Sequence, residues 1–220
     1  MNNLWRRGIM WPTCQPGYDQ EERDLIEMRD AMRAVKSTDP DAIVVTGETA
    51  NMAFADVSDP NNNPTHLPVG AMSKASNVAL GVAMAQPDRN VIVFDGDGCI
   101  LMNLGALVTT SKAAPRNMVH IVLENDCYAL TGGQPLPSTG VSDLPGIARE
   151  AGYKNVYQFD DAEQFATELP AILNAKNGPV FISLATETEI TVAAEWRNYP
   201  RPPKPWKQAA PAVREYLAGQ

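Results

Sequence analysis

Two apolar runs in this chain end on residues that could bind an ion. Asn90 to Asp95 (NVIVFD) is followed by Gly96-Asp97-Gly98, and Met118 to Glu124 (MVHIVLE) by Asn125-Asp126. An aspartate between two glycines leaves its carboxylate and the neighbouring N–H groups bare at the mouth of the next helix. The carboxylate suits Mg²⁺, and helix-end N–H groups suit phosphate oxygens. The side-chain amide of Asn125 is a neutral oxygen donor of the kind Mg²⁺ accepts beside a carboxylate. Either signal alone also reads as a turn. The separation of the two, 125 − 97 = 28 residues, is about one helix plus one strand, which sets both donors at the tips of adjacent strands.

The elements that must position them follow from hydrophobic spacing. Leu25, Met28, Met32 and Val35 predict a helix over Glu21–Lys36, and AIVVT over Ala42–Thr46 a buried strand. Asp56 to Pro68 reads as a polar, Asn- and Pro-rich loop, and Lys74 to Ala85 as a small-residue helix. One helical stretch is expected over Ile100–Lys112, a helix near Asp143–Ala151, a strand near Asn155–Phe159, and a helix from Asp161 that Pro170 should kink or split. Val180 to Ala185 is the last clear strand. Continuous apolar strands alternating with helices predict an α/β fold, a doubly wound, mostly parallel sheet covered on both faces, with ligands beyond the carboxyl ends of its strands.

Composition narrows the partners. The 220 residues are 44% apolar and 20% charged, as in a globular chain, and the net charge of −8 gives no basic excess for nucleic acid or an anionic membrane. Three widely spaced cysteines, Cys14, Cys99 and Cys127, form neither a disulfide framework nor a zinc knuckle and fit a reducing, cytoplasmic setting. No signal peptide is expected in MNNLWRRGIMWP, and no run approaches 18 apolar residues.

Gly96-Asp97-Gly98 followed at this distance by Asn125, within FDGDGCILMNLGAL and VLENDCYALTGGQP, resembles the thiamine-diphosphate-binding motif. The resemblance runs from about Asp41 to Leu184. With Thr131-Gly132-Gly133-Gln134 after the Asn turn, it points to the diphosphate-binding (small or β) subunit type of the sulfopyruvate and phosphonopyruvate decarboxylases. It implies that Asp97, Asn125 and the backbone carbonyl of Cys127 hold Mg²⁺ against thiamine diphosphate. Gly96, Gly98, Cys99 and Tyr128 would line the cofactor, and Thr49, in Thr46-Gly47-Glu48-Thr49, would meet its diphosphate. Met72, 97 − 72 = 25 residues before the metal aspartate, would be the apolar wedge that bends the cofactor, with the Gly70 carbonyl accepting from its aminopyrimidine. Relatives of this type carry Gly-His after the wedge methionine, where this chain has Ser73-Lys74. Lys74, and His66 in the Asn-rich loop, are therefore candidate substrate contacts, while His120, within a strand, reads as structural.

The resemblance also implies something missing. Thiamine catalysis needs a glutamate from a pyrimidine-binding domain, and residues 41–186 supply only the diphosphate-binding type, flanked by an arm and helix (1–40) and a Pro- and aromatic-rich tail (187–220). A partner subunit carrying that Glu is expected, in an α2β2 unit or a multiple, with no catalytic side chain in this chain itself. The small residues Ala75, Ala79, Gly81, Ala83 and Ala85 would allow close helix contact at the interface. The tail around Trp196, Tyr199 and Trp206 is expected to wrap a neighbouring subunit, a mobile tail being the alternative. The implied reaction is decarboxylation of a 2-oxoacid. The alternatives are carboligation or C–C lysis in the same split architecture, or a non-catalytic assembly subunit of the same fold.

Overall fold

The structure, a computed structural model, describes residues 25–59, 63–190 and 205–219. Six parallel strands form the sheet: β1 (Ile43–Gly47), β2 (His66–Val69), β3 (Val91–Gly96), β4 (Met118–Glu124), β7 (Asn155–Phe159) and β8 (Val180–Ala185). A short antiparallel pair, β5 (Cys127–Tyr128) and β6 (Gln134–Pro135), follows β4. The spatial order is β2-β1-β3-β4-β8-β7. The chain steps from β1 to one side for β2 and to the other for β3, so the order reverses between β1 and β3. That is where a parallel α/β sheet opens a crevice.

Each strand feeds both faces in alternation, as a period of two requires. Val44, Ile92, Phe94, Ile121 and Ile182 meet α1 (Met28–Thr38), α2 (Thr49–Val57) and α7 (Ala162–Ala175). Ile43, Val45, Val91, Val93 and Met118 point the other way, onto α3 (Ala75–Ala85) and α8 (Trp206–Ala218). On that second face Val122 and Phe181 join Ile100 of α4 (Asp97–Met102), Leu107 of α5 (Gly105–Ala113) and Leu144 and Ala148 of α6 (Leu144–Glu150). The doubly wound parallel α/β sheet expected from the sequence is the fold observed.

Four local expectations differ from the structure. The Asp56–Pro68 loop ends inside β2, an edge strand that tolerates Pro68 because its outer side needs no ladder bond. The Ile100–Lys112 stretch is two helices, because the chain turns at Asn103-Leu104 and the Asn103 amide donates to Ser73 O (3.0 Å) and Asn77 Oδ1 (2.8 Å). Helix α7 runs unbroken through Pro170, which is exposed, while its core side buries Phe165, Leu169, Ile172 and Leu173. That burial outweighs one lost backbone bond. In α3, Ala75, Ala79 and Ala83 are buried against this chain's own sheet, leaving only Gly81 and Ala85 of the five small residues exposed for an interface.

Helix α8 lies on β2 and α3 through Ala209 and Val213, with Ala210 and Leu217 beside them, and Arg89 stacks over the Tyr216 ring. This part of the tail therefore packs on its own sheet, with Trp206 half exposed at its start. Trp196 and Tyr199 lie outside the described residues. No helix among the described residues is long and apolar enough to cross a membrane.

Candidate functional site

Strands β3 and β4 end side by side, with Gly96 in register with Leu123, and this brings Asp97 to Asn125. The Asp97 carboxylate is 4% exposed. Its Oδ1 accepts from the Gly98 N–H (2.7 Å), and its Oδ2 from the N–H groups of Asn125 (2.9 Å) and Asp126 (2.8 Å). Burial pushes the carboxyl up to about 7. The three N–H groups pull against that rise, and the negative charge of Asp126 adds to it. A nearby cation would reverse the burial penalty, since an opposite charge favours the ionised form.

Asn125 is 7% exposed. Its Oδ1 accepts from the Cys127 N–H (3.2 Å), and its carbonyl takes the Thr188 hydroxyl (3.1 Å). That turn, with Asp126 at φ 61°, folds Cys127 and Tyr128 back beside Asp97. The Tyr128 ring lies so close to Gly98 that an added Cβ would stand 2.6 Å from Cε1 and 2.8 Å from Cδ1. Glycine is required there by approach distance. No group of three or more His, Cys, Asp or Glu able to hold a metal occurs among the described residues. The donors at this turn are instead a carboxylate, a side-chain amide and backbone oxygens. A small, hard cation takes such a set when a phosphate completes its shell, so the residues fit Mg²⁺ and a diphosphate.

Across the crevice, β1 ends at Gly47 and the chain enters α2 through Glu48, at φ 48° and ψ −124°. A non-glycine residue there costs on the order of 1–3 kcal/mol. Burial, then the charge of Asp95, raises the Glu48 carboxyl above its ordinary value. Thr49, the first residue of α2, is half-buried at the same strand end. From β2, Gly70 is exposed with open space around it, Met72 is half-buried, and Ser73, buried at φ 63°, leads into α3. Lys74, just before that helix, is exposed. Cys99 is buried in α4; burial, then the charge of Asp95, pushes its thiol up to about 12, so it stays protonated and inert.

His66 does not reach this crevice. It is 5% exposed, its ring lies 4.6 Å from that of Phe54 of α2, and its Nε2 is 2.8 Å from Thr46 Oγ1. Thr46 Oγ1 lies 2.6 Å from Asn51 Oδ1, and the Asn51 amide donates to Val69 O (3.0 Å). Because Asn51 spends its N–H on Val69, its Oδ1 accepts from Thr46, and Thr46 in turn accepts from His66 Nε2–H. Burial, then the charge of Lys36, lowers His66 to about 3, so the ring is neutral. Its work is to tie β1, β2 and α2 together from the core side. His120 is structural in the same sense: fully buried, its Nδ1 is 3.4 Å from the Tyr153 hydroxyl and its ring packs edge-on against Phe181.

Sequence reasoning passed over three residues here. Asp95, 1% exposed, places Oδ2 3.6 Å from His120 Nε2, and neither atom has a hydrogen-bond partner among the described residues. Asn103 fastens the Met72 loop to the end of α4. Glu48 is the strained corner. A charged residue inside an apolar strand end was the available signal for Asp95; a side chain directly after Gly47 was the one for Glu48.

The fold is a parallel α/β sheet with a carboxylate and an amide at neighbouring tips, beside the point where strand order reverses. Residues 46–184 match the family described as thiamine pyrophosphate enzyme, C-terminal TPP binding domain, and the chain belongs to that family. It is 36% identical over 160 residues to the sulfopyruvate decarboxylase subunit beta of Methanothermobacter thermautotrophicus, covering 71% of this chain and 80% of that one. It is 44% identical over 117 residues to the phosphonopyruvate decarboxylase of Streptomyces viridochromogenes, which is 53% of this chain but 29% of that protein. The chain thus spans less than a third of that decarboxylase and most of the beta subunit. Among solved structures, a thiamin diphosphate-dependent enzyme from Mycobacterium smegmatis matches with a TM-score of 0.62 at 22% identity, over 74% of this chain and 32% of that one. Benzoylformate decarboxylase from Polynucleobacter necessarius matches with 0.61 at 18%, over 74% and 33%. These two share the fold.

Proposed function

We propose that this chain is the diphosphate-binding subunit of a two-subunit 2-oxoacid decarboxylase of the sulfopyruvate and phosphonopyruvate type. In this reading a partner subunit supplies the catalytic glutamate, in an α2β2 unit or a multiple. The observation that carries it is the Asp97–Asn125 junction: a buried carboxylate and an amide side chain at adjacent strand tips, cross-linked through backbone N–H groups. Thiamine diphosphate, when bound, supplies the electron sink into which the bond to the departing carboxylate breaks.

The residues of this chain hold and shape. Asp97, the Asn125 side chain and the Cys127 carbonyl would hold Mg²⁺; Gly96, Gly98, Cys99, Tyr128 and Thr49 would line the diphosphate. Met72, anchored by the Asn103 bond to its loop, would press on the cofactor beside the Gly70 carbonyl. Lys74 stands at the mouth, where a substrate contact is open to it. The similarity to a beta subunit over four fifths of that subunit's length supports the two-chain arrangement.

The test is reconstitution. The chain alone should turn over no 2-oxoacid, and the complex with its partner should release CO₂ only with thiamine diphosphate and Mg²⁺ present. Robust turnover by the isolated chain would refute the split arrangement. C–C bond formation without CO₂ release would move the reaction to the carboligase class. Cofactor binding without any turnover would leave an assembly role.

A further inference from the structure

The segment that follows β8 passes the Asn125 turn. The Thr186 N–H donates to the Glu124 carbonyl (2.9 Å), and two residues on the Thr188 hydroxyl donates to the Asn125 carbonyl (3.1 Å). That carbonyl belongs to the peptide joining Asn125 to Asp126, whose N–H donates to Asp97 Oδ2 (2.8 Å). One peptide is therefore gripped at both ends, by the Asp97 side chain at the tip of β3 and by a hydroxyl from beyond β8. Its orientation matters because Asp126 turns with φ 61°, in the left-handed region that a non-glycine residue keeps only when its surroundings hold it there. Rotation of this peptide would take the Asp126 N–H off Asp97. It would also disturb Cys127, whose N–H now donates to Asn125 Oδ1 (3.2 Å).

The hydroxyl is itself held on both sides. The Glu187 N–H donates to the Ile26 carbonyl (3.2 Å), and Glu189 takes Arg29 of α1 with both oxygens, Nη1 to Oε2 at 2.7 Å and Nη2 to Oε1 at 3.1 Å. Arg29 is 19% exposed, and its Nε donates to Asp56 Oδ2 (3.0 Å) in the last turn of α2. A two-pronged guanidinium–carboxylate pair fixes direction as well as distance.

We propose that Thr188 is a positioning residue for the cation site, kept on the Asn125 carbonyl by the Arg29–Glu189 pair. It acts through the Asn125–Asp126 peptide, and so keeps the Asn125 side chain and the Cys127 carbonyl in one donor set with Asp97. The inference rests on the cofactor reading above. It adds residues that lie outside 46–184, the span that matches the family.

The test is a calorimetric Mg²⁺ titration of the complex with its partner subunit at saturating thiamine diphosphate. Thr188→Val, which keeps the shape and loses the donor, should raise the Mg²⁺ dissociation constant by about tenfold, the size of one lost hydrogen bond. Thr188→Ser, which keeps the donor, should return it to within about threefold of wild type. Glu189→Gln should raise it by about threefold, as for a partly exposed ion pair, and should add nothing further to Thr188→Val. A role in fold stability alone would lower the urea midpoint of Thr188→Val and leave its Mg²⁺ constant at the wild-type value, which would overturn the proposal. So would a serine variant that fails to rescue, or a Glu189→Gln effect that adds in full to that of Thr188→Val. A wild-type complex that binds no cofactor would sink the decarboxylase reading and this inference with it. Mg²⁺-dependent cofactor binding that Thr188→Val leaves unmoved would sink this inference alone.

Discussion

The scaffold beneath β1 and β2 and the tips of β3 and β4 are built on opposite electrical principles. On the β1–β2 side a neutral chain runs from His66 through Thr46 and Asn51 to the Val69 carbonyl. On the β3–β4 side Asp97 is a buried carboxyl raised to about 7, and Asp95 keeps an oxygen without a hydrogen-bond partner among the described residues. A polar network that satisfies itself makes a rigid scaffold, whereas one that does not is held for something else. The first end orients α2 and the Met72 loop; the second is the one that the proposed function assigns to the cation.

The pH dependence of stability should separate the ends most strongly. His66 is lowered in the folded state, so its contribution is complete above about pH 6.5 and is lost as pH falls towards about 3. Asp97 is raised, so the unloaded chain holds a proton there that the unfolded chain has released, and stability falls as pH climbs from about 4 to about 7. Each limb is worth on the order of 4 kcal/mol at full extent. The two windows overlap, so the slopes nearly cancel in the wild type. In urea titrations of the unloaded chain, His66→Phe should leave a stability that falls from about pH 4 to about pH 7, and Asp97→Asn one that rises from about pH 3 to about pH 6.5. A profile that neither variant changes would erase the contrast.

Gly98→Ala should come next, at about 3 kcal/mol, because the added methyl overlaps the Tyr128 ring. Adding Tyr128→Ala in a double-mutant cycle should recover much of that loss; strict additivity would mean the ring is not the obstacle. Asn51→Ala leaves the Thr46 hydroxyl and the Val69 carbonyl short of a partner and should cost about 2 kcal/mol, read as a lower urea midpoint. The smallest effect is expected far from the crevice. Pro170→Ala restores a backbone donor within α7 and should stabilise by about 1 kcal/mol, seen as a modest rise in Tm.

How much of this was legible in the sequence depended on whether the signal was local. Strands β1, β3, β4 and β8 are continuous apolar runs and read directly, and the 28-residue spacing of Asp97 and Asn125 was enough to pair two strand tips that the structure does bring together, although two helices rather than one lie between them. Strand β2 was not legible: a four-residue edge strand containing His66 and Pro68 lacks a continuous apolar run of its own and is set by its register with Val44–Gly47. The fate of His66 was equally non-local, whereas His120, inside an apolar strand, was read as structural and is buried there. His66 sits in a polar-looking loop, yet the fold turns it inward beneath Phe54. Pro170 misled because helix propensity is a weak prior beside three flanking core residues. Glu48 lay inside the Thr46-Gly47-Glu48-Thr49 segment, but its positive φ could not be read from the residue type.

The account stands on the Asp97–Asn125 junction gripping a magnesium-bound diphosphate. Calorimetric titration of thiamine diphosphate into the partner-bound complex, with and without Mg²⁺, tests it most directly. Wild type should bind in a Mg²⁺-dependent way, and Asp97→Ala or Asn125→Ala should weaken that binding by about a hundredfold or more, near the effect expected for loss of a charged hydrogen-bonding group. Equal affinity in wild type and both variants, or binding indifferent to Mg²⁺, would contradict it.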